Sequence, residues 1–134
     1  MSGRIFDTSV LLDIATGDVR WSAWSEGQLR AASALGLVIV NPIIYAELAP
    51  AFQTQGELDA WLDPAVFRRL PLPYQAGWRA AQAYAAYRRA GGLKSSPLPD
   101  FYIGAHAEVE NLTVVTRDTA RIRTYFPAVS IIAP

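Results

Sequence analysis

The sequence predicts an α/β fold: a three-layer α/β/α sandwich around a short parallel sheet, in a single domain spanning residues 1–134. Three observations carry this. The strand-like runs are short and continuously apolar, as suits strands covered on both faces. Helical segments separate them, and strand–helix alternation builds a parallel sheet between helical layers. No repeat, low-complexity run or long linker divides the 134 residues, a length ordinary for one domain.

The elements follow in order. Arg4 to Phe6 reads as the first strand, and Thr8 to Ala15 as a short helix ending near Gly17. Trp21 to Leu35 is a longer helix stopped at Gly36, ahead of a second strand over Leu37 to Val40. Asn41 as cap and Pro42 at the first helical position start a helix running to about Phe52. Glu57 to Phe67 is helical with a break near Pro64, and Arg69 to Leu72 is a weak further strand. Tyr74 to Ala90 is the longest helix, stopped by Gly91 and Gly92. Beyond a Pro-rich loop lie a helix over Asp100 to Glu110 and a strand over Leu112 to Val115. Thr119 to Tyr125 is the last helix and Val129 to Ile132 the last strand.

Composition narrows the function. The hydrophobic share of 51%, with four Trp, six Tyr and five Phe, is enough for a core without covalent staples. The absence of Cys excludes disulfides, thiolate metal sites and a Cys nucleophile, and it suits the cytoplasm, the expected location. Neither a signal peptide nor an apolar run of the roughly 20 residues needed to span a bilayer is read in the chain. Net charge is zero, so a polyanion is bound locally rather than by a general basic coat. Lys94 is the only Lys, every other base being Arg; this suits a bidentate grip on phosphate, but GC-rich coding is the explanation preferred.

The opening "RIFDTSVLLDI" runs an apolar strand into a carboxylate, Asp7. In open parallel sheets the working crevice lies beyond the carboxyl ends of the strands. Asp7 ends the first strand and Asp118, in "VVTRD", follows the strand over Leu112 to Val115, so both project from that edge. Glu47, in "NPIIYAEL", sits on the helix leaving the second strand, and Asp100, in "LPDFYIGAHA", opens a helix placeable at the same edge. Singly, Asp7, Asp100 and Asp118 read first as helix caps or charges at a helix start worth about 0.3–2 kcal/mol, and Glu47 reads equally as a residue on the outer stripe or one pointing into a polar pocket. Together they imply a cleft whose like charges raise one another's pKa values unless a cation compensates. Hard cations such as Mg²⁺ take carboxylate oxygens and water. Such a site suits attack of activated water on a phosphodiester, two ions standing roughly 3.5–4 Å apart in two-metal enzymes.

"FDTSVLLDI", "YAEL", "LPDFYIGAHA" and "VVTRD", in this order, resemble the PIN domain of VapC-type toxins, over almost the whole chain. The resemblance implies a PIN-like α/β/α sandwich with Mg²⁺- or Mn²⁺-dependent endoribonuclease activity. It implies Asp7, Glu47 and Asp100 as core metal ligands, Asp118 as the fourth acid, and Ser9 and Thr116 as supporting hydroxyls. It further implies an RNA substrate, restraint by a VapB-type antitoxin, and a toxin homodimer within a larger toxin–antitoxin hetero-oligomer. Trp21, Trp24, Leu29 and Leu35 would contribute to an apolar groove for the antitoxin, though core packing predicts the same pattern. The stretch from Thr54 to Gln75 resembles nothing specific.

Other residues invite functional readings. His106, the only His, lies six residues past Asp100, about 600° around a helix, and is expected to be structural. Gly104 shares Asp100's face and would leave room for metal or substrate. Arg88, Arg89 and Lys94 could hold the RNA backbone, or simply decorate a helix C-terminus. Arg117, Arg121 and Arg123 form a second candidate set. "RAGGLKSS" lacks the spacing of a phosphate-binding P-loop. Three competing functions are weighed. A haloacid-dehalogenase-type phosphatase needs an Asp where Ser9 stands, and a receiver domain needs an Asp where Asn41 follows the second strand. A catalytically silent PIN-like RNA- or partner-binding module stays open as the third.

Overall fold

The computed structural model describes residues 3–92 and 98–134. Five parallel strands form one sheet in the order β3-β2-β1-β4-β5, with β1 Arg4–Phe6, β2 Val38–Val40, β3 Phe67–Arg69, β4 Thr113–Val115 and β5 Ile131–Ile132. Central β1 pairs Ile5 with Ile39 on one side and with Val114 on the other. Ile5, Phe6, Val38, Val40, Val114 and Val115 are all buried, the continuous apolar pattern of strands covered on both faces. The helices are α1 Thr8–Thr16, α2 Ser22–Ala34, α3 Pro42–Leu48, α4 Gln55–Trp61, α5 Tyr74–Arg89, α6 Tyr102–Glu110 and α7 Ala120–Tyr125. In one layer α1 packs on α2 and α3, and in the other α5 packs on α6 and α7.

Connectivity decides where a crevice opens. From β1 the chain moves outward to β2 and β3, then returns past β1 to β4 and β5. Strand order therefore reverses between β1 and β4, and at such a switch point the connections leave in opposite directions and part beyond the strand ends.

Two predicted elements shift. The weak strand at Arg69 to Leu72 forms two residues earlier, because Pro71 and Pro73 have no N–H to donate to a ladder, whereas Phe67 turns into the core. The helix predicted over Glu57 to Phe67 starts at Gln55, capped by the Thr54 hydroxyl on the Glu57 N–H, and ends at Trp61. The helix from Pro42 keeps its predicted cap, Asn41 Oδ1 accepting from the Ile44 N–H at 2.9 Å, but tightens to a 3₁₀ turn at Ala49–Ala51 around Pro50. Another 3₁₀ turn, Leu98–Phe101, carries Asp100 into α6. No described helix is long and apolar enough to cross a membrane.

Candidate active site

At the switch point the chain ends of β1 and β4 lie side by side, the Asp7 N–H donating to Val115 O at 2.9 Å. Asp7 occupies the N-cap position of α1 without capping it. Its Oδ2 instead accepts from the Thr116 hydroxyl at 2.8 Å, across from the end of β4. The helix-cap reading of Asp7 thus fails on geometry. That of Asp118 fails too: the residue at the N-cap of α7 is Thr119, and the Asp118 backbone N–H is held by Thr116 Oγ1 at 3.0 Å. Glu47 leaves α3 toward the same edge and accepts from the Thr8 hydroxyl at 2.8 Å.

Asp7, Glu47, Asp100 and Asp118 line one cleft of about 90 Å³, together with Ile103, Gly104, Ile122 and Phe126. They come from four different elements, so only the fold brings them together. Two of the carboxyls are shifted, chiefly by burial and to a lesser degree by the charge of neighbouring acids. Burial pushes the Asp7 carboxyl above the ordinary carboxylate range and the charge of Asp118 adds to this, against hydrogen bonds from Thr116, the Thr8 backbone and Ser9. Glu47 stands exposed at the mouth, yet its pKa is also raised, by desolvation of the carboxyl and then by the charges of Asp7 and Asp100. Both predicted supporting hydroxyls, Ser9 and Thr116, bear on Asp7.

The donor set is all oxygen, the chemistry of hard cations. Among the described residues no three His, Cys, Asp or Glu side chains are already gathered as a metal cage. Mg²⁺ in general takes only one or two carboxylates and keeps several waters. At about 10–15 Å³ per water by the same measure, the cleft has room for a hydrated ion.

The basic residues divide differently from the sequence reading. Arg88 turns back on its own helix end, its guanidinium 3.4 Å from Gly92 O, and neither Arg88 nor Arg89 lines the cleft. Lys94 lies outside the described residues. Arg121 does line the cleft, 3.7 Å from Asp100 Oδ2. Arg117, although next to Asp118, leaves it and forms a two-bond fork on Asp13 at 3.0 Å, over the Trp21 ring. Buried Asp13 also accepts from Ser25 at 2.9 Å, which ties α1 and α2 to the segment after β4. Nothing in the sequence marked Asp13, an acid within an apolar helix whose partner lies 104 residues away.

His106 is fully buried and structural, as expected. Asn41 Nδ2 donates to its Nδ1 at 3.1 Å, so the ring proton sits on Nε2 and faces Glu110 at 2.9 Å. Gly104 is small for a different reason from the one predicted: a Cβ there would run into the Phe126 ring. Trp61, Tyr84 and Tyr87 pack in ring clusters with Phe67 and Phe101, whereas Trp78 is 72% exposed.

The PIN domain family model matches residues 4–127. The chain belongs to the PIN domain family. No curated protein matches it significantly. Among solved structures, VapBC2 from Rickettsia felis bound to a DNA fragment from its promoter is similar at TM-score 0.74 and 16% identity, with 98% of each chain covered. DNA-bound VapBC from Salmonella typhimurium is similar at TM-score 0.73 and 18% identity, covering 99% of this chain and 98% of that one. FitAcB from Neisseria gonorrhoeae gives TM-score 0.69 at 22% identity, covering 98% and 97%. At these identities the likeness establishes the PIN fold, around which the acid cleft is built.

Proposed function

We propose that this PIN domain is a metal-dependent endoribonuclease, the toxin of a VapBC-type toxin–antitoxin pair acting in the cytoplasm. The observation that carries the reading is the gathering of Asp7, Glu47, Asp100 and Asp118 in one cleft at the switch point of the sheet. Burial raises the pKa of Asp7 and of Glu47, and neighbouring carboxylates add to it, a lesser contribution that a divalent cation would offset. Asp7, Glu47 and Asp100 would hold Mg²⁺ or Mn²⁺, with Asp118 the fourth acid. When bound, such an ion lowers the pKa of a water and offsets charge on a phosphate oxygen. The chain itself orients the carboxylates. Thr116 fixes Asp7, Thr8 fixes Glu47, and Ser9 supports Asp7 from the first turn of α1. The apolar sides of Ile103, Ile122 and Phe126 narrow the space open to water.

The similar structures include VapBC complexes and a toxin–antitoxin complex from Klebsiella pneumoniae, which supports a VapB-type antitoxin as partner; a homodimer of toxins within a hetero-oligomer is what the resemblance to VapC-type toxins implies. RNA is the substrate that the resemblance to VapC-type toxins favours.

The test is RNA cleavage by the purified chain with Mg²⁺ or Mn²⁺, with EDTA, and with Asp7→Asn and Asp100→Asn prepared alongside. Cleavage is expected to require metal and to fall by orders of magnitude in folded variants. Equal cutting by wild type and variants would mean a contaminating nuclease. A folded chain that binds RNA and metal without cutting would make this a binding module instead.

A further inference from the structure

The segment that follows β4 grips α1 at two places. Thr116 donates to Asp7, just before α1 begins, at 2.8 Å. Arg117 reaches Asp13 near the far end of the same helix, with Nε on Oδ2 and Nη2 on Oδ1, both at 3.0 Å. Six residues of helix rise about 9 Å, so the two anchors stand well apart. One hydrogen bond lets a segment pivot about it, and a second anchor at that distance stops the pivot. The second anchor is itself fixed. Asp13 is 5% exposed and also accepts from Ser25 Oγ on α2 at 2.9 Å. The Arg117 guanidinium lies over the Trp21 ring, 5.1 Å from its centroid, and the Trp21 N–H is held by Asp18 Oδ1 at 2.8 Å. A planar two-bond fork in this setting fixes direction as well as distance. Asp118 follows at once, its N–H on Thr116 Oγ1 at 3.0 Å, and it lines the acid cleft whereas Asp13 and Arg117 do not.

We infer that Arg117 is a positioning residue: its fork on Asp13 holds Asp118 at the acid cleft and so sets the affinity of the site for a divalent cation. With Nε and Nη2 both engaged on Asp13, Arg117 acts on the cleft from behind rather than on RNA directly. The inference rests on the metal-dependent reading of the site. Charge and geometry give it different signs. Arg117→Gln removes a positive charge near the cleft and Asp13→Asn removes a negative one, so direct electrostatics would tighten cation binding in the first and weaken it in the second. Loss of the fork weakens it in both.

Calorimetric titration of Mn²⁺ into wild type, Arg117→Gln and Asp13→Asn, each shown by circular dichroism to be folded, reads that sign. Both variants are expected to bind Mn²⁺ roughly 10–100-fold more weakly, the usual range when a group that orients metal ligands is removed. Hydrogen exchange by NMR on the metal-free proteins reads the positioning itself. The Asp118 N–H is expected to exchange faster in both variants, by a larger factor than the N–H groups of buried Ala80 and Ala83 on α5. Tighter Mn²⁺ binding by Arg117→Gln overturns the inference. So does Asp118 exchange that speeds up no more than that of Ala80 and Ala83, the mark of a general loss of stability. Either result leaves the metal reading intact if wild type binds Mn²⁺ and Asp7→Asn does not. A wild-type chain that binds no Mn²⁺ removes that reading and this inference with it.

Discussion

Thr116 shows how much one side chain carries. Buried at the end of β4, its hydroxyl donates to Asp7 Oδ2 at 2.8 Å and accepts from the Asp118 N–H at 3.0 Å, so one residue positions two acids. Thr116→Val keeps the shape and removes both bonds. Leaving these groups without a partner costs about 1–3 kcal/mol, read as a lower urea midpoint. Activity should change in a way a general loss of stability would not. The Thr116 bond lowers the Asp7 pKa, so its loss raises that pKa further, and the acid limb of the pH–rate profile moves to higher pH. An acid limb that stays in place would mean that Asp7 does not limit the reaction. The hydroxyl at Thr116 was legible in the sequence through the family pattern. The Arg117–Asp13 fork was not, because a pair separated by 104 residues has no local signature.

Between elements, the decisive contact is that of α6 with the end of α7. Gly104 on α6 lies against Phe126, which is buried just past α7, and both line the acid cleft. Gly104→Ala drives a methyl into a ring that cannot swing out. The expected cost is about 1–3 kcal/mol, or roughly 4 °C in Tm per kcal/mol. Adding Phe126→Leu should recover part of the loss, since the two positions touch and their effects are not additive. Full additivity by thermal melting would argue against the contact. The sequence suggested that Gly104 faces the Asp100 side, and it does line the cleft. The ring that requires a glycine there lies 22 residues on and only packing reveals it. Asn41 illustrates the opposite case: the Asn-Pro pair announced a cap, and the cap is there.

For the molecule as a whole, the acid cleft makes stability depend on pH and metal. Because the Asp7 pKa is raised in the folded state, the native chain binds this proton more tightly than the unfolded chain does. Stability from this group is therefore present below the ordinary carboxylate range and is lost as pH rises through the raised value. Glu47 contributes in the same direction but less, being screened at the open mouth. Metal-free Asp7→Asn is thus expected to be more stable than wild type at neutral pH and to lose that advantage on acidification. Added Mn²⁺ should reverse the order, stabilising wild type by about 2.7 kcal/mol at a hundredfold excess over its Kd, with a much smaller effect on the variant. Urea unfolding of both proteins from acid to neutral pH, with and without Mn²⁺, checks this. Parallel curves would disprove the linkage.

The sequence by itself determined the architecture and the identity of the acids. Continuous apolar strands such as Val38–Val40 specify a sheet buried on both faces, and caps and breakers such as Asn41 and Gly17 delimit helices through local bonding alone. Those signals are short-range and survive in one dimension. Tertiary structure decided what the acids do. Whether Asp7 caps its helix or turns across to Thr116, and whether Arg117 or Arg121 attends the cleft, depends on how β1 and β4 lie together. A carboxylate's partner is set by distance through space, and sequence spacing does not encode that distance until the chain has folded.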